Sequence, residues 1–110
     1  MPDAGDIVWL QFAGAVQTKR RPAVVLSSPT YHTTRPDVII GLITSQISKA
    51  NAPSDHVLTD WNSAGLNKPS AFRAFITTVP KAAIISTVGK LSSTDWHAVK
   101  KCINSAIVFV

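Results

Sequence analysis

Lys19-Arg20-Arg21-Pro22-Ala23-Val24-Val25-Leu26-Ser27 sets three cations directly before a proline and an apolar run directly after it. Proline fixes φ and lacks an N–H, so it suits the first residue of a strand better than its middle. The residue before a proline is pushed toward extended geometry. The stretch therefore reads as a basic loop feeding a buried strand over residues 22–28, with the Arg21 guanidinium on a stiff base. A planar five-donor fork held in this way is suited to phosphate. The same cations would also serve as a solvated turn.

Upstream, Asp6-Ile-Val-Trp-Leu-Gln-Phe12 is a β-branched and aromatic run between Gly5 and Gly14, which predicts a first strand over 6–12. Trp9 there suits the core or an interface better than a base-stacking platform. Residues 13–20 form a flexible connection carrying Gln17, Thr18, Lys19 and Arg20. Downstream, residues 29–37 read as a loop with two prolines and His32. Residues 38–44 are nearly continuous apolar, as in a central strand buried on both faces. That strand ends in Thr44-Ser45-Gln46, small polar residues that either line a site or make a turn.

A loop over 47–55, a short strand over 56–59 and a loop-like segment over 60–69 follow, the last containing Trp61, Gly65, Lys68 and Pro69. Residues 70–79 alternate as a strand, with Arg73 in its middle. An arginine there needs an ion-pair partner, solvent or a ligand phosphate. Residues 82–88 form an element of unassigned type, broken by Gly89. Ser92-Ser93-Thr94-Asp95 then starts a helix over about 93–106, with hydroxyls able to cap and an acid near the positive dipole end. Trp96, Val99, Ile103 and Ala106 make its apolar stripe, and Lys100 and Lys101 lie opposite.

These elements predict one domain over residues 1–110. Its fold class is mainly β (α+β), a small curved β-barrel with a C-terminal helix. The barrel's open edges would be covered in a homodimer.

Composition narrows the chemistry. Eleven Lys+Arg face six aspartates and no glutamate, for a net charge of +5, which favours a polyanionic partner and leaves few carboxylates for a paired-acid hydrolase. His32, His56 and His97 are far apart and lack ligand spacing, so no metal site is expected. Cys102 falls in the helical pattern, as a core thiol more than a nucleophile, and suits a reducing cytoplasm. No apolar run approaches the roughly 20 residues of a membrane span. Asp3 and Asp6 stand where a signal peptide would be basic.

Taken in order, Asp6-Ile-Val-Trp9, Arg21-Pro-Ala-Val-Val-Leu-Ser27, Ile43-Thr-Ser-Gln46, Gly65-Leu-x-Lys68-x-Ser70, Thr78-Val-x-Lys81 and Gly89-x-Leu91 resemble the MazF/PemK family of type II toxin–antitoxin toxins, from about Ala4 to Ile107. The resemblance implies an SH3-like barrel, a homodimer and metal-independent, sequence-specific endoribonuclease cleavage of single-stranded RNA without a cofactor. It also implies a cognate antitoxin whose acidic tail blocks the RNA groove. The family's catalytic arginine and threonine fall on Arg21 and Thr44, with Ser45 and Gln46 as neighbours in the groove. Thr18, Lys19, Arg20 and Arg73 complete the expected RNA contacts. Many members place an acid shortly after the fifth-strand arginine. Here Arg73 is followed by Ala74-Phe75-Ile76, a departure that puts an arginine–aspartate mechanism on that strand in doubt.

Metal-free RNA cleavage uses the 2′-hydroxyl as an internal nucleophile, so the protein must position it and stabilise the phosphorane. Arg21 would hold the phosphate, Thr44 would donate to a nonbridging oxygen and Arg73 would add a second cation. Arginine is a poor base, which leaves His56 and His32 as acid/base candidates. Base selection would come from the loops at 13–20, 29–37 and 47–55. Two rival readings use the same barrel. One is a CcdB-like gyrase poison acting through residues 106–110. The other is a non-catalytic SH3-like binding module.

Overall fold

Ile7, Val8 and Leu10 are all buried, and so are Ala23, Val24 and Val25, so both faces of the strands that carry them must be covered. The computed structural model, which describes residues 2–13 and 18–108, shows how. Strands β1 (Asp6–Ala13), β2 (Thr18–Val25), β3 (Asp37–Thr44), β4 (Asp55–Val57), β5 (Ala71–Pro80) and β6 (Ile84–Lys90) form one antiparallel sheet of order β4-β5-β3-β2-β1-β6. A short helix, α1 (Pro29–Thr34), links β2 to β3, and α2 (Ser93–Ala106) follows β6.

Side chains alternate across a strand, and here each set finds its own core. Ile7, Val24, Ile43 and Phe72 pack against Val99 and Cys102 of α2, with Leu58, Ala64, Leu66 and Leu91 between. Val8, Leu10, Ala23, Val25, Val38, Ile40 and Val79 form the second core on the opposite face. The sheet curls to do this, helped by register shifts at Ile7/Val8 and Trp9/Leu10 in the β1–β6 ladder and at Gly41/Leu42 in the β3–β5 ladder. It does not close, since β4 and β6 remain its two edges. The turn after β4 bridges them. Gly65 has φ 93°, and a Cβ there would lie 2.6 Å from the Val88 carbonyl oxygen. Gly89 lies so close to the Ala64 carbonyl that any side chain would collide with it.

The mainly β architecture and the helix at 93–106 agree with the sequence, but several elements differ in detail. Lys19 and Arg20 belong to β2, paired with Phe12 and Gln11, and not to a loop. Pro22 consequently lies within the strand, opposite Trp9. The β2–β3 ladder begins only at Ala23, so Pro22 has a partner strand on one side alone. Residues 29–37 contain α1, capped by Ser28 Oγ, which accepts the Tyr31 N–H at 3.2 Å. β3 is not buried on both faces throughout, because Ile39 and Leu42 are only half-buried. Residues 82–88 become a 3-10 turn, Lys81–Ala83, and β6, with Gly89 inside the strand instead of breaking it. On α2 the buried stripe runs through Val99 and Cys102, whereas Ala106 is exposed. Burial pushes the Cys102 thiol up, as suits a core cysteine.

Candidate functional site

The β2–β3 ladder pairs Ala23 with Leu42. Stepping two residues back along β2 and two forward along β3 brings Arg21 level with Thr44. Both line one cleft of about 130 Å³. Pro22 and the buried Ile43 and Leu66 supply its apolar part, and Trp9 borders it. Arg20, Arg21 and Lys68 bring three cations, while Thr44, Ser45, Asn67 and Ser70 bring polar groups.

Local bonds fix these groups. Thr44 Oγ1 accepts the Gln46 N–H at 3.1 Å, which orients the hydroxyl and leaves its proton for a guest. Ser70 Oγ donates to the Lys68 carbonyl at 2.9 Å, and the Ser70 carbonyl accepts the Leu58 N–H at 2.9 Å. The Lys68 turn is thereby tied to the end of β4. The lining holds no carboxylate. Among the described residues the ion pairs are Arg35–Asp37, His56–Asp95 and Arg73–Asp55, none of which involves the cleft cations. Three cations around hydroxyl and amide donors suit an anionic guest.

The remaining sequence candidates lie elsewhere. Lys19 and Gln46 are exposed and do not line the cleft. Thr18 opens β2, and its side chain, like residues 14–17, lies outside the described residues. Arg73 lines a neighbouring hollow, where its Nε lies 3.7 Å from Asp55 Oδ1. Neither histidine lines the cleft. His32 is buried, with Nε2 bonded to Ser27 Oγ. His56 Nε2 bonds Asp95 Oδ1 at 2.8 Å, and Asp95 also accepts the Thr59 and Asp60 N–H groups at 2.9 and 2.8 Å. Burial pushes the Asp95 carboxyl up, but the His56 bond and the two backbone donors outweigh it and hold the group below its ordinary value. These histidine contacts tie elements of the fold to one another.

Sequence reasoning did not nominate Asn67, Lys68 or Ser70 as site residues. Their signal is the Gly65-Leu-x-Lys68-x-Ser70 spacing: a buried Leu66 anchors the segment and a buried Ser70 closes its turn, leaving Asn67 and Lys68 outside.

A curled antiparallel sheet with a C-terminal helix, opening on a basic cleft, defines a class of small toxin folds. The chain belongs to the PemK-like, MazF-like toxins of type II toxin–antitoxin systems, whose family model matches residues 3–107. Among solved structures it is similar to a mycobacterial endoribonuclease in complex with its cognate antitoxin, with TM-score 0.78 and 13% identity over 96% of this chain and 94% of that one. A MazE–MazF complex from Deinococcus radiodurans gives TM-score 0.77 and 21% identity over the same 96% and 94%. MazF alone from Deinococcus radiodurans gives 0.72 and 24%, again over 96% and 94%. At these identities the likeness is one of fold. No curated protein matches the chain by sequence. The family match favours neither the gyrase-poison nor the binding-module reading. Among the described residues no helix is long and apolar enough to cross a membrane.

Proposed function

We propose that this toxin is an endoribonuclease that cuts single-stranded RNA by attack of the 2′-hydroxyl on the adjacent phosphate. The observation that carries the reading is the convergence of Arg21, Thr44 and Lys68 on one cleft. Arg21 grips two phosphate oxygens and stabilises charge as the phosphorane forms. Thr44 donates its free proton to a nonbridging oxygen. As the 2′-O–P bond forms and the P–O5′ bond breaks, the Lys68 ammonium donates toward the departing 5′-oxygen, and the 2′-hydroxyl proton passes to water. Catalysis here is positioning and electrostatic stabilisation, and the cleft supplies the donors for both.

The same reading makes the chain a cytoplasmic growth inhibitor held in check by a cognate antitoxin. An acidic, extended antitoxin segment would occupy the cleft in place of RNA. The +5 net charge and the uncompensated cleft cations support such a partner. A homodimer would cover apolar residues left exposed on the two edge strands, Val57 on β4 and Ile85 on β6.

The test is incubation of the purified chain with a long RNA in EDTA, followed by mapping of the fragment ends. Discrete cuts bearing 2′,3′-cyclic phosphate and 5′-hydroxyl ends, absent with Arg21→Ala, are expected. Intact RNA, or cuts that survive Arg21→Ala, would overturn the proposal.

A further inference from the structure

β5 carries an irregularity that the cleft does not use. Gly41 pairs with Ile76, while the next residue of β3, Leu42, pairs with Arg73. Ala74 and Phe75 thus bulge out with no partner on β3. On the other side, the β4 ladder covers only Ala71 to Arg73 and stops short of Phe75. Bulges re-aim side chains and gather beside functional sites. The result here is a phenylalanine left 66% exposed. It borders a hollow of about 240 Å³ that also takes in Leu42, Asp55 and Arg73.

The hollow has a polar edge as well as an aromatic one. The Asp55 side chain is only 5% exposed, and its Oδ2 accepts the Ala52 N–H at 3.2 Å. Its Oδ1 lies 3.7 Å from Arg73 Nε, too far for a hydrogen bond, so both groups keep capacity for a third partner. An oriented acceptor therefore stands beside a five-donor fork. This hollow adjoins the cleft through β3, since Leu42 lines one and Thr44 the other. Residues two apart on a strand point to the same side and lie about 7 Å from each other.

On the reading of the cleft as an RNA site, on which this rests, we infer that Phe75 is a stacking platform for one unstacked base next to the scissile phosphate. Arg73 and Asp55 read that base's edge. Every base edge sets an acceptor beside a donor, but guanine alone adds a second donor, its N2 amino group beside N1–H, and a carboxylate acceptor next to an arginine on O6 favours that edge. Single-stranded RNA is recognised by stacking splayed bases on aromatic side chains and bonding their edges.

The experiment measures binding of short guanine-, adenine-, cytosine- and uracil-rich single-stranded RNAs by fluorescence anisotropy, beside fragment-end mapping on long RNA and sedimentation of each protein. Wild type is compared with Phe75→Ala, Phe75→Tyr and Asp55→Asn. The expected result is a guanine preference in wild type, with affinity for all four RNAs falling about tenfold in Phe75→Ala, as loss of one stacked base implies. Phe75→Tyr should retain that preference and Asp55→Asn should weaken it, with the cut-site pattern relaxing at one position in step. Unchanged affinity in Phe75→Ala, or an unchanged base preference in Asp55→Asn, overturns the inference. So does a changed oligomeric state of Phe75→Ala with unchanged affinity, which would mean a second copy of the chain covers Phe75. Wild type that cuts RNA while Phe75→Ala keeps its affinity leaves the cleft reading standing and this one fallen. Wild type that binds RNA through Phe75 but never cuts overturns the cleavage reading and leaves Phe75 a base platform beside a bound phosphate.

Discussion

Two polar constellations in this molecule use similar ingredients to opposite ends. At the junction of α2 with the segment after β4, the Asp95 carboxylate is fully buried and accepts from His56 and from two backbone N–H groups. In the cleft, Arg20, Arg21 and Lys68 surround hydroxyl and amide donors with no carboxylate among the lining residues. A buried charge persists only when its partners are built in. Cations at an open rim stay hydrated and can trade water for a ligand. The first constellation is complete and holds elements of the fold together. The second is complementary to a group the chain does not contain.

Changes at the two sites should therefore separate activity from stability. The largest effect is expected for Arg21→Ala, which should slow RNA cleavage by about 10²–10³-fold, the cost of losing one oxyanion donor. Its free energy of unfolding in urea should stay within about 0.5 kcal/mol of wild type, as for most surface changes. Arg21→Lys should recover only part of the loss, because lysine offers a point charge without the fork. Asp95→Ala should do the opposite. It strands His56 and two N–H groups and should cost about 3 kcal/mol in equilibrium unfolding, with little change in cleavage per folded molecule.

Smaller effects sharpen the contrast. Lys68→Ala should weaken binding of a non-cleavable RNA about tenfold. It should also reduce the slope of log K against log salt by about 0.7, as for one lost phosphate contact. Acid should loosen the junction. The Asp95 carboxyl is held below its ordinary value of 3.8, so its contribution to stability is complete above about pH 4 and fades as pH falls through the lowered value. Asp95→Asn should lack that part of the acid limb in unfolding scans. Least of all, His56→Gln should leave the cleavage rate within about twofold, since His56 does not line the cleft. A large loss there would return an imidazole to the chemistry.

How much of this could be read in advance depended on distance along the chain. Arg21 and Thr44 were legible because each stands beside a hydrophobic strand run, one marked by a proline and the other by three small polar residues. The helix at 93–106 was legible because its cap and its stripe are local. Lys68 was not, because its place depends on a turn that packs through Gly65 and Gly89 against a strand more than 20 residues later. The partners of Asp95 lie 35 to 39 residues away, so the sequence showed only a first-turn acid near a helix dipole. α1 was missed because six residues with three threonines make no stripe, although Ser28-Pro29 is a good start signal.

The gap between the sheet's edges is spanned where Gly65 and Gly89 have no side chains, so the basic arm bearing Lys68 is seated by missing atoms. One added methyl at position 89 would lever that arm outward without altering any residue that lines the cleft. A host selecting survivors of such a toxin would thus find disarming substitutions outside the cleft's lining, in chains that still carry every cation.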